Sequence, residues 1–515
     1  MSITSGTLDS LIKGRVISAI KDNLVILQVV VPLLSAVACS LFHRSVNFVQ
    51  GFACAVVSST FIISLVLFYQ VYSAGSILYK VGGWELPYGI ELRVDLLSAT
   101  MLMLVTFIGV VSTIYGIYPS RREIPASKVS KFYSVFLLSF SGLLGILVSN
   151  DAFNVYVFLE VASISAYVLV AMGGHKGSLV SAFEYLVIGT VGATLYLLGV
   201  GLLYASSGTL NMGSLAVFLS EMPISKSTYV GMFFVIFGLV IKAALYPFHG
   251  WLIRAYTTSP SFVAVFLSGT ATKVMIYLVI RVTHSVFGAQ LVFATLPLGK
   301  IMLALAALAT VAASIFAVMS KDIKDVLAYS SVANIGCIIF AVSLNTYSGL
   351  AAAVAYLVNH SIVKSALFMV SGGISYHFGQ GKMDKCLSLG RVVPNIASAY
   401  VLLSLSLVGM PPTMGFVAKW QMLSSFANSN AWEGLVALVV GSVCSVVYTW
   451  KVIEYLYFNP GIVEGCANDL YIKTPRSMTL CIWVMACLGL AAGTYPLPLT
   501  SISERIAASL LILPQ

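Results

Sequence analysis

Apolar residues along this chain come in long runs, and most of the charged residues fall in short gaps between them. Each run is near the ~20 residues that an α-helix needs to cross the hydrocarbon core of a bilayer. Fourteen such spans can be marked, at roughly 23–42, 48–72, 92–118, 131–149, 151–172, 179–205, 229–256, 260–281, 300–319, 325–343, 349–370, 396–427, 432–457 and 477–497. Runs of this length, rather than ten-residue alternation, exclude an outer-membrane β-barrel. The pattern therefore predicts an all-α polytopic membrane protein. No soluble domain interrupts the series, so residues 1–515 are expected to form one integral membrane domain.

Composition agrees. The chain is 59% hydrophobic and 9% charged, with mean hydropathy +0.98. Soluble proteins carry roughly a quarter charged residues, so the apolar excess must face lipid. The net charge of +10 would point to nucleic acid in a soluble protein. Here the basic residues are spread over short loops, as membrane orientation requires, and no nucleic-acid partner is expected. The eight cysteines show no CxxC and no metal spacing, and most lie in apolar runs, where cysteine acts as a small hydrophobe. No disulfide, metal or cofactor is expected. GxGxxG, P-loop and cysteine-cluster motifs are lacking, so the chain is expected to do no redox chemistry alone. The first 22 residues hold Lys13, Arg15 and Lys21 without an apolar core. The run after them is a full span without an A-x-A site, so no removable leader is expected.

Loops after odd-numbered spans carry 14 Lys and Arg, and the opposite side, termini included, carries 9. The richer side is the cytoplasmic one by the positive-inside rule. Both termini are then expected on the outer or periplasmic side.

Five basic residues fall within spans: Lys242, Lys273, Lys364, Lys419 and Lys451. A charge at the bilayer centre costs at least about 2.5–3.5 kcal/mol. A lysine near a span end escapes that cost by snorkelling. This suits Lys451, close to the end of its span and three residues from Glu454. It fails for Lys242, Lys273 and Lys419, each several residues inside its run. Burial lets such a lysine give up its proton, and a nearby carboxylate reverses that. Moving or protonating the carboxylate then switches the lysine. Glu160 lies in mid-span with no basic residue on its own helix, and an unpaired buried carboxylate seeks a cation. Glu160 and Lys242 are the expected pair across helices. Glu184 sits near a helix start, where the dipole alone would favour it.

His360 and Lys364 are spaced i, i+4, on one helix face. With Asn359 beside them in mid-span they read as a proton relay. His249 follows Pro247 by two residues and is expected to serve the freed backbone. His43, His175, His284 and His377 lie in or beside loops and are expected to be only solvated. Pro247 in FGLVIKAALYPFHGWL and Pro411-Pro412 in SLVGMPPTMGFVAKW break two spans. Broken helices at membrane depth are tolerated where they are buried in protein or line a cavity. In transporters, one in each half marks the site. The offsets differ, however: Pro247 follows Lys242 by five, and Pro412 precedes Lys419 by seven.

Taken together, FNVYVFLE, LVIKAALYPFHGWL, SGTATKVMIYLVIR, KDIKDVLAYSSVANIG, NHSIVKSALF and GMPPTMGFVAKW resemble a known family. It comprises the antiporter-like membrane subunits of respiratory complex I and of Mrp-type multisubunit Na+/H+ antiporters. The resemblance runs from about residue 90 to 460. It implies 14 core helices, with two inverted five-helix repeats over 131–281 and 300–457. The first three spans (23–118) precede the repeats and the last span and tail (477–515) follow. Spans seven and twelve are implied to be broken. The implied proton relay is Glu160, Lys242, Lys273, His360, Lys364 and Lys419. The segments GGWELPYGIELRVDLLSA and FYSVFLLSFSGLLGILVSNDAFNVYVFLE look most like the D-type subunits of Mrp antiporters. Lys419 fits that branch, since one complex I subunit has glutamate there. The family usually reads W-L-P-x-A after the first break, whereas this chain has Trp251-Leu252-Ile253-Arg254-Ala255. That departure touches the surface or a subunit contact.

The function so implied is a proton-translocating subunit of a monovalent cation/proton antiporter. Its partners would be other membrane subunits, protons, a monovalent cation and the lipid bilayer. A transporter subunit is expected, not an enzyme. The alternative is an antiporter-like pump subunit of NADH-quinone oxidoreductase or of a membrane-bound hydrogenase. A passive scaffold would have no reason for a row of central ionisable residues. A major-facilitator carrier normally has a Gly/Asp/Arg-rich loop after span two, where this chain has SAGSILYKVGGWELPYGIELRVD.

Overall fold

The computed structural model describes residues 23–41, 45–296, 298–378, 390, 393–458 and 474–511. Lys13, Arg15, Lys21, His43, Arg44, Lys382, Lys385, Cys386, Arg391, Cys466 and Lys473 lie outside the described residues. Among the described residues, twelve helices are long and apolar enough to cross a membrane. One of the twelve, 261–286, is interrupted within, and two further crossings are each made of two short helices. Spans one to six are α1 (Leu24–Leu41), α2 (Val46–Ala74), α3 (Leu96–Glu123), α4 (Val129–Val148), α5 (Ala152–Ala171) and α6 (Ser178–Ser207). A short α7 (Met212–Glu221) follows. Span seven is α8 (Lys226–Lys242) plus α9 (Gly250–Thr258), and span eight is α10 (Ser261–Gly269) plus α11 (Ala271–Ile280). Then come α12 (Leu298–Met319), α13 (Ile323–Ser343) and α14 (Tyr347–Phe378). Span twelve is α15 (Pro394–Val408) plus α16 (Met414–Asn428), followed by α17 (Trp432–Tyr457), α18 (Arg476–Thr494) and α19 (Leu497–Leu511).

Many of these helices start where the side chain before them accepts a backbone N–H, the ordinary N-cap. Asp95, Asp151, Ser225, Asp322 and Thr413 do so for α3, α5, α8, α13 and α16. Spans four to eight and nine to thirteen form two five-span groups. Five is odd, so the second group enters from the opposite face, which is the inverted repeat. In both groups the fourth span is broken.

Burial divides the helices. The windows of spans eight, ten and eleven are 94% buried, against 33% or 39% for spans one, two, six, nine, thirteen and fourteen. The former make the middle of the molecule and the latter present Leu, Val, Ile and Phe outward, as lipid contact requires. Spans six and seven pack closely because Gly192 and Gly199 face Gly238 and Gly231. A Cβ on Gly238 would lie 2.5 Å from the Gly192 carbonyl oxygen. Small residues of this kind let membrane helices approach.

On the face that holds the loops after even-numbered spans, a β-hairpin joins β1 (Ile77–Lys80) to β2 (Glu91–Val94), antiparallel with Ile77 opposite Val94. Glu91 is buried there and accepts from Asn150 Nδ2 (2.7 Å) and Asn211 Nδ2 (3.2 Å). One carboxylate thus ties the hairpin to the loops after spans four and six.

Several sequence expectations are corrected here. Span eight is not continuous: Thr270 leaves the helical region at φ −122° and ψ −59°. Arg281 is not a loop cation. It is buried and paired with Asp95, with Nη2 2.7 Å from Asp95 Oδ1, 2.9 Å from Ser98 Oγ and 3.2 Å from the Tyr277 hydroxyl. His284 and His377 are buried rather than solvated. His284 bonds Thr283 Oγ1 at 2.9 Å and His377 bonds Thr474 Oγ1 at 2.8 Å. The tail after span fourteen is helical over α19, whose Ser503, Ile506, Ala507 and Leu510 face inward.

The Asp95–Arg281 pair locks the start of span three to the end of span eight. Removing either partner leaves a buried charge uncompensated, a loss of roughly 3–5 kcal/mol. We expect Asp95→Ala and Arg281→Ala each to lower the aggregation temperature of the detergent-solubilised protein, and the double variant to recover part of it.

Candidate functional site

Lys242 is the last residue of α8. The chain then leaves the helix through Ala244, held at φ 58°. This left-handed geometry is costly for a residue with a side chain, and such strain persists only where the surroundings impose it. Lys242 reaches across to α5, donating to Ser163 Oγ at 2.8 Å and lying 3.4 Å from Glu160 Oε1. Ser163 is three residues beyond Glu160, on the same helix face. The Lys242 side chain is 5% exposed and that of Glu160 21%. The amine lines a cavity of ≈ 20 Å³, room for one water, together with Ser139, Ser163, Tyr185 and Trp251. Trp251 stacks on Tyr185 with ring centres 4.2 Å apart, and its Nε1 donates to the Ile241 carbonyl at 3.3 Å. The same carbonyl accepts the Ala244 N–H at 3.0 Å, so Trp251 adds a second donor at the break.

Lys273 lies just past the break in span eight and is fully buried. Its amine donates to the freed Ser268 carbonyl at 2.5 Å and lies 3.3 Å from Thr272 Oγ1. The Gly269 carbonyl, freed by the same break, accepts from Ser361 of α14. His360 stands next to Ser361. Neither of its ring nitrogens has a partner among the described residues. The charges of Lys273 and Lys364 both act on it. Lys364 donates to the Leu327 carbonyl at 3.1 Å and to Ser330 Oγ. An unpartnered buried imidazole costs stability, so His360 sits where fold and function pull in different directions.

In span twelve α15 ends at Val408, and Gly409 turns the chain at φ 90°. Lys419 folds back across the break to donate to the Val408 carbonyl at 2.9 Å and lies 3.3 Å from Ser442 Oγ. Gly409 is needed twice, since a Cβ there would also lie 2.8 Å from Lys419 Cδ. The unequal sequence offsets of the two lysines are thus explained. Lys242 belongs to the C-terminal end of the first half-helix by position and Lys419 by reach, both at the negative end of a helix dipole. Lys419 too lines a cavity, of ≈ 10 Å³, among them Thr310, Asn334, Cys337, Tyr356, Ser442 and Tyr448.

The structure therefore places Glu160 with Lys242, and Lys273, His360 and Lys364 along the buried middle, with Lys419 acting on Lys364. Among the described residues only Lys242 of these lysines has a carboxylate partner. The others are held by hydroxyls and carbonyls, and like charges that feel one another disfavour full occupancy of the row. Lys451 stands apart. Its amine donates to the Val318 (3.2 Å) and Ser320 (2.9 Å) carbonyls, closing the end of α12 rather than pairing with Glu454. Glu184 pairs with Arg254, which joins spans six and seven at the position where the chain departs from W-L-P-x-A. His249 stacks on Tyr246 at 5.0 Å, and its Nδ1 has no partner among the described residues. Sequence reading missed Ser163, Ser330 and Ser442. Ser163 was findable by its spacing from Glu160; the other two are set only by contact with Lys364 and Lys419 of other helices.

Residues 149–445 match the family model described as NADH:quinone oxidoreductase/Mrp antiporter, TM. The chain is 37% identical over 475 residues to NADH-quinone oxidoreductase subunit N of Desulforudis audaxviator, covering 90% of this chain and 94% of that one. It is 31% identical over 426 residues to the D-type subunit of the Na(+)/H(+) antiporter of Alkalihalophilus pseudofirmus, covering 82% and 84%. A chain of the Mrp complex from Dietzia sp. DQ12-45-1b shares the fold with TM-score 0.87 at 24% identity, covering 96% of this chain and 98% of that one. One of respiratory complex I from Thermus thermophilus shares it with TM-score 0.78 at 20% identity, covering 95% and 99%. With spans seven, eight and twelve interrupted and this match over more than half its length, the chain belongs to the NADH:quinone oxidoreductase/Mrp antiporter family of membrane proteins.

Proposed function

We propose that this protein is the proton-translocating membrane subunit of a multisubunit monovalent cation/proton antiporter. The observation that carries the reading is the buried row from Glu160–Lys242 through Lys273, His360 and Lys364 to Lys419, with a lysine at each broken helix. A carboxylate 3.4 Å from an amine favours its charged form. When Glu160 is protonated or withdrawn, Lys242 loses that support and passes its proton on. Each transfer changes the field felt by the next amine. The cavities beside Lys242 and Lys419 supply water-sized room at the two ends. The breaks let backbone carbonyls replace solvent around a charge that moves.

A second reading is an antiporter-like pump subunit of an NADH-quinone oxidoreductase or related redox complex, favoured by the likeness to the Desulforudis subunit N. The residues would then act in the same way, driven by redox partners. Co-purification separates the two. Small antiporter subunits with the tagged chain support the first reading, and redox subunits replace it with the second. In both, the chain lies in the cell membrane with both termini outside, following the excess of loop Lys and Arg, 14 to 9 by sequence and 14 to 8 without the buried Arg281. A C-terminal reporter active only in the cytoplasm is expected to stay dark, and a bright one reverses the orientation.

A further inference from the structure

Lys364 and Lys419 sit on different helices and bond different carbonyls, so a proton leaving Lys364 needs a carrier to reach Lys419. Lys364 donates to Ser330 Oγ of α13. Ser330 is fully buried and its hydroxyl donates to the Leu327 carbonyl at 3.0 Å. Asn334, one turn further along α13, lines the Lys419 cavity beside Tyr448, and the Tyr448 hydroxyl of α17 is within reach of Ser330. Tyr448 also lines the cavity that holds Lys419. Among the described residues it is thus the cavity-lining side chain whose hydroxyl also meets the partner of Lys364. Seryl and tyrosyl hydroxyls each donate once and accept, and their protons rotate to suit. This is the property a carrier requires.

We propose that Ser330 and Tyr448 form the hydroxyl bridge that carries the proton from Lys364 to the Lys419 cavity. The Ser330 hydroxyl turns from the Leu327 carbonyl, and the Lys364 ammonium gives a proton to Ser330 Oγ as the Ser330 proton passes to the Tyr448 oxygen. The Tyr448 proton leaves for neutral Lys419, directly or over one cavity water. Net, one N–H bond breaks at Lys364 and one forms at Lys419. Both hydroxyls end with one proton each and reset by rotation.

The bridge rests on the proton-relay reading, and the test separates the two. Tyr448→Phe keeps the ring and removes the hydroxyl. In the assembled complex in inverted vesicles it is expected to slow proton-coupled transport by roughly tenfold or more, with assembly unchanged. Ser330→Ala should slow it comparably. The double variant should be no slower than the slower single, because both act on one step. The solvent deuterium effect should rise in each as proton crossing becomes limiting. Tyr115→Phe removes an equally buried hydroxyl, bonded to the Met369 carbonyl at 2.9 Å, away from the row. It is expected to leave rate and isotope effect unchanged. Tyr448→Phe transporting like the parent while Lys419→Ala is inactive overturns the bridge and leaves the relay standing. Lys419→Ala transporting like the parent overturns the relay and the bridge with it. If Tyr448→Phe does not assemble, Ser330→Ala decides by rate and isotope effect, and parental values for both overturn the bridge.

Discussion

Lys419→Arg is expected to stall transport nearly as completely as Lys419→Ala, although it keeps the charge. A member of a proton row must hold a proton and then release it. Lysine away from water does both, whereas arginine stays charged at any working pH. Lys419 is placed for that duty, 2.9 Å from the Val408 carbonyl and beside a polar cavity. The matched control is Lys451→Arg. Lys451 only donates to the Val318 and Ser320 carbonyls at the end of α12, and a guanidinium has donors to spare. Its transport should stay within about twofold of the parent, as for other substitutions that keep a structural bond. The measurement is proton movement in inverted vesicles on adding a monovalent cation, with subunit content checked in each. Parental transport by Lys419→Arg would make Lys419 a fixed electrostatic anchor and move the exit elsewhere.

Glu160→Gln and Lys242→Ala are each expected to slow transport by roughly a hundredfold or more, as removal of a proton-transfer group does, while the complex still assembles. Glutamine keeps the shape of Glu160 but cannot switch the amine 3.4 Å away. Lys242→Ala leaves a carboxylate at membrane depth with no cation, and that group becomes protonated and inert. Ser163 cannot stand in, because a neutral hydroxyl holds the amine at 2.8 Å without changing its charge. The double variant should be no worse than either single one, since the pair acts as a unit. Cation-dependent proton movement at the parental rate in either single variant would rule out the pair as the entry of the row.

Reading from the sequence went furthest where the bilayer itself sets the rule. Span number and approximate limits follow from hydrocarbon thickness, and the breaks at Pro247 and Pro411-Pro412 follow from proline's missing N–H. The ionisable positions stood out because a buried charge is rare enough to need a reason. Even the Glu160–Lys242 contact could be anticipated, as a lone mid-span carboxylate needs a cation. Partners that depend on where distant helices meet were not legible. Asp95 and Arg281 are 186 positions apart, the first near a span end and the second counted among the loop cations, and nothing local pairs them. His284 looked solvated because nothing local shows that span eight continues into a buried π-helical turn. The break at Thr270 has no proline to announce it, and the fold imposes it by giving the freed Gly269 carbonyl to Ser361 of another span. Lys451 was set apart from Lys419 by its place near a span end, but its hold on the Val318 and Ser320 carbonyls rather than on Glu454 was not legible. What the chain determined alone was the set of elements and the inventory of buried charges, because helix length and desolvation are local costs. The choice of hydroxyl, carbonyl or carboxylate that faces each charge was left to the tertiary structure, because it is made by packing between helices far apart in the sequence.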